Sequence, residues 1–303
     1  MDGSALRYDT ISFLSDFGTA DEFVGVVHSV IRSIAPAVTV VDVSHGIPKF
    51  DTRAGGLALA RAANYLCPGV VVAVVDPGVG TQRRPVAIEV GDGMSVLVGP
   101  DNGVLAPAVG MVGGATRAVE IRNPDVCLPR AGGSTFDGRD VFAPAAAHLC
   151  LGVPMTDLGP EIDPAGLMPG VLPISRFEPG IDGDELVCEV LWVDQFGNCQ
   201  LNVDPMEMLA FGGEVIVSIN GDDRIGLPVD AYDQIPTGRV GLVVDSSGLL
   251  SLAVARSSAA DELELGAGIE VRLRPLPVSD RPNGVITPVQ LGNRSDDRQG
   301  DLA

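Results

Sequence analysis

Four short segments of this chain carry side chains able to do chemistry. In Asp76-Pro77-Gly78-Val79-Gly80, followed by Arg83 and Arg84, the glycines free backbone N–H groups to face a ligand. Asp76 and Arg83 can pair and together hold a small polar molecule; a turn fixed by an ordinary Asp–Arg contact is the competing reading. The glycine-rich run Gly132-Gly133-Ser134-Thr135-Phe136-Asp137-Gly138-Arg139-Asp140 leads into a helical pattern. Asp140 suits a helix cap and Arg139 a loop anchor, which leaves Asp137 as the acid least easily explained by structure. In Asp194-Gln195-Phe196-Gly197-Asn198, Phe196 can stack on a flat ring, and Asn198 has the donor and acceptors that a purine edge requires. Asp, Gly and Asn also build β-turns. Ser246-Ser247-Gly248 is equally well read as a turn. The three histidines (His28, His45, His148) are far apart with no metal-ligand spacing, and His45 and His148 suit structure better than catalysis. The five cysteines contain no CxxC pair, which argues against a zinc site or a disulfide framework.

Strands and helices must position these groups. Residues 8–15 form an apolar run ending at Ser15-Asp16-Phe17-Gly18, a strand entering a loop. Thr19 and Glu22 have capping-box spacing. Phe23, Val26, Val27, Val30, Ile31 and Ile34 follow on one helical face, and Pro36 stops the helix. Residues 38–43 and 70–75 read as buried strands, with a helical pattern over 52–66 between them. Strand–helix–strand–helix–strand predicts a parallel sheet covered on both faces. Ligands bind such sheets beyond the C-terminal strand ends. Here those ends carry Asp16, Ser44-His45 and Asp76. A hairpin is expected over 84–90 and 93–98, a turn at Pro100-Asp101-Asn102-Gly103, loop over 122–138, and a helix from near Asp140 to Leu151.

Prolines and glycines crowd the stretch 160–183, and the texture beyond it is β. Candidate strands are 185–193, 199–203, 213–219, 239–244, 249–254 and 269–274. The expected organisation is an N-terminal α/β domain over 8–165, a linker over 166–183, a smaller C-terminal β-barrel or sandwich over 184–278, and a disordered polar tail over 279–303.

The chain has 303 residues, with 40 acids against 20 bases and a formal charge of −20. A phosphate backbone is repelled by such a field, so nucleic acid is excluded as an expected partner. Lys49 is the single lysine. No Walker loop occurs, and no GxGxxG follows the first strand. With no apolar run near the ~20 residues that span a bilayer and no basic-then-apolar leader, a soluble, cytoplasmic protein without membrane contact is expected.

Taken together, the segments resemble the S-adenosylmethionine (SAM) hydroxide adenosyltransferase family, in the superfamily of the fluorinases and chlorinases. The likeness runs from about residue 9 to about 275. It rests on Leu14-Ser15-Asp16-Phe17-Gly18, Val43-Ser44-His45, Val75-Asp76-Pro77-Gly78-Val79-Gly80, Gly99-Pro100-Asp101-Asn102-Gly103, Gly138-Arg139-Asp140-Val141-Phe142-Ala143-Pro144, and residues 194–198. The resemblance implies hydrolysis of SAM to adenosine and methionine, with SAM as substrate and no cofactor or metal. It implies a homotrimer, each site lying between one subunit's N-terminal domain and its neighbour's barrel. By position, Asp16 would bind the ribose hydroxyls beside Phe50, and Asp21 and Asp194 would face the methionine ammonium. Phe196 and Asn198 would hold adenine with backbone near Val254 and Arg256, and Ser246 would meet the methionine carboxylate. The halogenases carry Arg where this chain has Ser247.

Hydrolase members of the family hold water with an Asp–Arg–His triad. Asp76 and Arg83 match the first two positions, and Asp137 stands where the family has His. The expected catalytic set is therefore Asp76, Arg83 and Asp137. A halide would be repelled by two acids, and the halogenases lack the acid at the Asp76 position. The rival readings are a binding trimer without turnover and a halide-using SAM adenosyltransferase.

Overall fold

The computed structural model describes residues 6–129, 132–181 and 183–276; the tail expected over 279–303 lies outside them. The N-terminal region comprises β1 (Thr10–Ser15), α1 (Phe23–Ile34), β2 (Thr39–Ser44), α2 (Thr52–Ala63), β3 (Val70–Val74), β4 (Pro85–Val90), β5 (Ser95–Pro100), α3 (Ala106–Met111), β6 (Ala115–Glu120), α4 (Ala143–Cys150) and β7 (Glu161–Ile162). Its strands form one sheet in the order β2-β1-β3-β5-β4-β6-β7. The first four are parallel, and β4, β6 and β7 continue antiparallel.

The alternation of side chains along a strand explains the two layers. In β3, Val70, Val72 and Val74 join Ile11 and Phe13 in a core closed by α1 and α4. Val71 and Ala73, with Val75 just beyond, join Leu14 in a second core closed by residues of α2 and α3. Both faces of the central strands are therefore buried, which is why they read as continuous apolar runs. Phe13 and Phe142 are fully buried; truncating such a side chain to Ala costs about 3–5 kcal/mol.

Three expectations need correcting. The run over 38–43 is an edge strand, and Val41 is 42% exposed. Thr19 and Glu22 form no capping box. A loop turning through Gly18 (φ +69°) delays the helix until Phe23, so Glu22 itself becomes the N-cap and makes no side-chain cap bond. The segment 122–138 contains a short 3-10 turn, Pro124–Val126, and regular helical hydrogen bonding begins at Gly138 as a π-turn.

The C-terminal region contains β8 (Arg176–Gly180), β9 (Gly183–Val193), β10 (Cys199–Leu201), β11 (Val215–Ile219), β12 (Asp222–Val229), β13 (Val240–Val244), β14 (Leu250–Val254), α5 (Ala259–Glu262) and β15 (Glu270–Pro275). Their order is β10-β14-β13-β12-β11-β15-β9-β8, and β10 also pairs with β9. That last pairing closes a barrel of the seven strands β9–β15, with β8, drawn from the 166–183 segment, added outside on β9. Leu186, Cys188, Val190, Leu201, Val217, Leu242, Leu252 and Leu273 fill its interior. The two regions meet where Arg53 of α2 pairs with Glu189 of β9, and where Arg61 stacks over Trp192 at 5.1 Å.

Cys67, Cys150, Cys188 and Cys199 are free thiols. Burial pushes Cys150, Cys188 and Cys199 up to about 12, which leaves them unsuited as nucleophiles at neutral pH.

Candidate active site

Asp76 leaves the C-terminal end of β3 and enters a tight loop. Its next residues fold back so that Val79 N–H donates to the Asp76 carbonyl (3.3 Å) and Thr81 N–H to that of Gly78 (3.2 Å). Gly80 has φ +79°, and a Cβ there would stand 3.0 Å from the Ser134 carbonyl oxygen. A side chain would thus both strain the backbone and push away the glycine-rich loop. The fold-back returns Arg83 to Asp76. Nε donates to Oδ1 (3.0 Å), and Nη2 donates to Oδ2 and also to Asp137 Oδ2 (2.8 Å). The three side chains are 5–8% exposed. The guanidinium also lies 5.4 Å from the centre of the Phe142 ring.

The result is a buried acid–base–acid cluster of formal charge −1. Desolvation is the largest influence on Asp76 and raises its carboxyl pKa; the charge of Asp137 adds to the rise. The charge and hydrogen bonds of Arg83 and the Gly78 amide oppose it but do not overcome it. Asp76 is thereby held as a stronger base than a free aspartate.

Asp137 owes its position to a π-turn. Gly138–Phe142 take i→i+5 hydrogen bonding before α4 continues as an ordinary helix, a geometry that concentrates at functional sites. Gly138 is required because a Cβ would meet the rings of Phe17 and Phe136 at 3.0–3.2 Å. Arg139 clamps Asp140 through two hydrogen bonds (2.6 and 2.9 Å), and the Asp140 carbonyl accepts from Leu128 N–H (2.8 Å). These two residues therefore anchor the loop, and Asp137 is the one turned toward Arg83. Asp101 and Asn102 are also structural. Asp101 accepts from Arg84 (2.5 and 2.9 Å) and from Met168 N–H (2.7 Å), and the Asn102 amide donates to the Val75 carbonyl (2.8 Å).

Asp16 lies beyond the end of β1, beside β3. One carboxylate oxygen accepts from Phe50 N–H at 2.8 Å. Phe50 has φ +66° and is 70% exposed. A non-glycine residue there costs about 1–2 kcal/mol, so Asp16 holds a strained residue in place with its ring in solvent.

A cleft of about 250 Å³ runs between these groups, lined by Asp16, Asp21, Phe50, Asp76 and Asp137. Phe17, Phe23, Lys49 and Phe136 also line it, and sequence reasoning had not singled them out as site residues. Phe17, Phe23 and Phe136 pack edge-on or tilted with ring centres 5.0–5.8 Å apart, forming an apolar wall beside the acids. The signal for Lys49 was its place next to Phe50 as the only lysine. Three larger hollows, two of about 360 Å³ and one of about 400 Å³, hold no comparable ionic cluster.

The remaining candidates stand on the barrel and do not line this cleft. Asp194 to Asn198 form the β9–β10 turn. Asp194 Oδ1 accepts from the backbone N–H groups of Phe196 (2.8 Å) and Asn198 (2.9 Å), and Oδ2 accepts from the Asn198 amide (2.9 Å). This turn leaves Phe196 70% exposed. Ser246 is exposed in the β13–β14 turn. Val254 ends β14 and bridges to Ser257, with Arg256 between them at φ +57°. Thus, among the described residues, two of the five non-glycine residues with positive φ, Phe50 and Arg256, are site candidates. The histidines lie outside the cleft, but His28 and His45 both approach Asp42, at 2.8 and 3.0 Å. Their distance in sequence had concealed that approach.

Comparison with known proteins matches both regions of the chain to one family. Residues 11–159 match the model of the SAM hydroxide adenosyltransferase N-terminal domain, and residues 188–272 that of the C-terminal domain. A protein of Salinispora arenicola named (R)-S-adenosyl-L-methionine hydrolase is 43% identical over 267 residues, covering 87% of this chain and 97% of the relative. One of the same name from Thermus thermophilus is 42% identical over 271 residues, covering 87% and 98%. A Nocardia brasiliensis fluorinase is 26% identical, covering 88% and 97%. Among solved structures, an uncharacterised conserved protein from Thermotoga maritima superposes with a TM-score of 0.77 at 31% identity, covering 87% of this chain and 99% of that one.

Proposed function

The chain belongs to the SAM hydroxide adenosyltransferase family, and we propose that it hydrolyses (R)-S-adenosyl-L-methionine to adenosine and L-methionine. The observation that carries this reading is the buried Asp76–Arg83–Asp137 cluster at the cleft.

A sulfonium needs little help to leave. When a water oxygen attacks C5′, the C5′–S bond breaks and methionine departs as a neutral thioether, so the substrate carries its own leaving group. The protein must place water in line behind C5′ and accept its proton. Asp76, raised toward the basicity of a useful acceptor, takes that proton. Arg83 keeps the two carboxylates together, and Asp137 accepts a hydrogen bond from the water where the family has His. A halide receives no comparable welcome, because Asp76 and Asp137 oppose a second anion.

Asp16 keeps one carboxylate oxygen for the ribose while the other holds Phe50, whose ring covers the sugar. Asp21 attracts the methionine ammonium. On the barrel, Phe196 and Asn198 take adenine with the backbone at Val254 and Arg256, Asp194 adds to the ammonium site, and Ser246 meets the carboxylate. Ser246 lies in the turn that precedes β14 and Val254 is that strand's last residue, so the two stand toward opposite ends of it. That separation suits the two ends of an extended nucleoside–amino acid. The barrel half does not line the cleft of its own chain, and Phe50 and Phe196 both face solvent. These two facts support a homotrimer in which each site joins one subunit's cleft to the next subunit's barrel. Among the described residues no helix is long and apolar enough to cross a membrane.

The test is incubation of purified protein with SAM in chloride-free buffer made with heavy-oxygen water, followed by chromatography and mass detection. Equal adenosine and methionine, many times the enzyme concentration, with the label in the adenosine 5′-hydroxyl, is the expected result. Bound ligand without product would support the binding-protein reading instead, and a 5′-halo-adenosine formed only with added halide would support the halogenase reading.

A further inference from the structure

The approach of His28 and His45 to Asp42 is unused by the hydrolysis just described. His28 projects from α1, Asp42 lies on β2, and His45 follows the end of that strand. The parallel crossover packs α1 against the sheet and so brings His28 to Asp42 and His45, which are themselves only three positions apart. Their potential ligand atoms all lie within 4.8 Å of one another. None of the three lines the substrate cleft.

His45 supplies the decisive detail. The residue is 8% exposed, and its Nε2 is buried without a hydrogen-bond partner. Yet that nitrogen stands 3.0 Å from Asp42 Oδ1. The in-plane direction from Nε2 therefore passes beside the oxygen rather than at it. A nitrogen lone pair aimed at a metal about 2.1 Å away has this orientation, because the line to a neighbouring ligand diverges from the line to the metal. The other ring nitrogen, Nδ1, lies 2.8 Å from Ser15 Oγ. With the proton on Nδ1, His45 donates to Ser15 and turns the Nε2 lone pair inward, the arrangement found behind metal-bound imidazoles. With the proton on Nε2, a buried N–H has no acceptor in line. A cation between Nε2 and the carboxylate removes the difficulty in the first case, and the second tautomer leaves it standing.

We propose that His28, Asp42 and His45 form a binding site for one divalent transition-metal ion of the Zn²⁺ class. Two imidazoles with one carboxylate favour such an ion over Ca²⁺ or Mg²⁺, which prefer oxygen ligands throughout. His28 Nε2 lies 2.8 Å from Asp42 Oδ1, and the ion takes its place against both side chains. Asp42 is exposed, so water completes the coordination. The ion braces the loop that carries Asp16. Ser15 Oγ accepts from Phe17 N–H (3.3 Å), and the His45 carbonyl accepts from Gly18 N–H (2.8 Å). It takes no part in the displacement at C5′.

The test uses the full chain, stripped with a chelator and titrated with Zn²⁺ by calorimetry in parallel with thermal melting. Co²⁺ serves as a second probe through its visible absorption. One equivalent per chain, a rise in Tm, and cobalt bands of nitrogen–oxygen coordination are expected. His28→Ala and Asp42→Asn alter side chains that solvent reaches, so both variants fold. Each should weaken Zn²⁺ at least ~10-fold and abolish the Tm rise. Absence of stoichiometric binding to the wild-type chain overturns the proposal, as does binding left unaltered in either variant.

Discussion

Asp76 has to ionise in a place where burial resists ionisation. Desolvation lifts its carboxyl above the ordinary aspartate range, and the negative charge of Asp137 works in the same direction. The proton is therefore lost at higher pH than from a free aspartate, and only the ionised form can accept a proton from water. The kcat/KM profile should fall on its acid side with a limb above that range, and the limb should be missing from the residual activity of Asp76→Asn. This variant should lose about 10²–10⁴-fold in kcat while binding adenosine almost as before; an unchanged kcat would remove Asp76 from the chemistry. Asp137→His introduces the residue type that the resemblance implies at this position and should preserve or raise turnover in the same product assay. A collapse of activity would assign Asp137 a role that imidazole cannot fill. These residues were legible to different degrees. Asp76 and Arg83 are seven positions apart at a strand end, so their pairing could be anticipated. Asp137 lies 54 positions from Arg83, and only its resemblance to a family position joined it to the pair. The cluster of His28, Asp42 and His45 was invisible because only the Asp42–His45 spacing is local, and a crossover connection adds His28.

At the scale of elements, loops carry the strain and strands carry the order. Phe50 sits at φ +66° with most of its ring in water, secured by Asp16. Phe50→Gly removes the left-handed penalty and adds flexibility to the unfolded chain, so a net gain of about 0.5–1 kcal/mol is expected. A shift of the urea midpoint measures it. Binding of adenosine should weaken in the same variant, since the ring over the sugar is gone; unchanged affinity would free Phe50 from that role. The central strands were readable because burial on both faces leaves an unbroken apolar run, as in β3. Six elements escaped notice (β6, β7, β8, β12, α3 and α5), and three of them show why. β12 opens with Asp222-Asp223-Arg224 and contains Pro228, so its first half faces solvent and no apolar run announces it. β6 alternates Thr116, Arg117 and Glu120 with small residues over one short strand. α3 spans six residues and contains both a proline and a glycine, too short for helical periodicity to emerge. In each case tertiary pairing supplies what local sequence lacks.

For the whole molecule, the decisive question is whether one site draws on two chains. A barrel closed by the β9–β10 pairing was legible only as a series of short strands, because closure depends on contacts that no local pattern encodes. The shared site has a direct test. Asp76→Asn damages the cleft half and Phe196→Ala the barrel half, and each variant alone should be nearly inactive. Refolded together, a ring of head-to-tail subunits pairs an intact cleft with an intact barrel at about a quarter of its sites, and activity should return to about that fraction of wild type. No recovery in mixed oligomers, isolated by differential tagging, would confine the site to one chain. The acidic surface has one more consequence. Apart from its α-amino group the protein offers a single primary amine, and Lys49 presents it at the mouth of the cleft. Amine-directed dyes thus become site reporters that bound substrate should shield. Coupling the protein to a surface through lysine would instead close the opening that the experiment was meant to present.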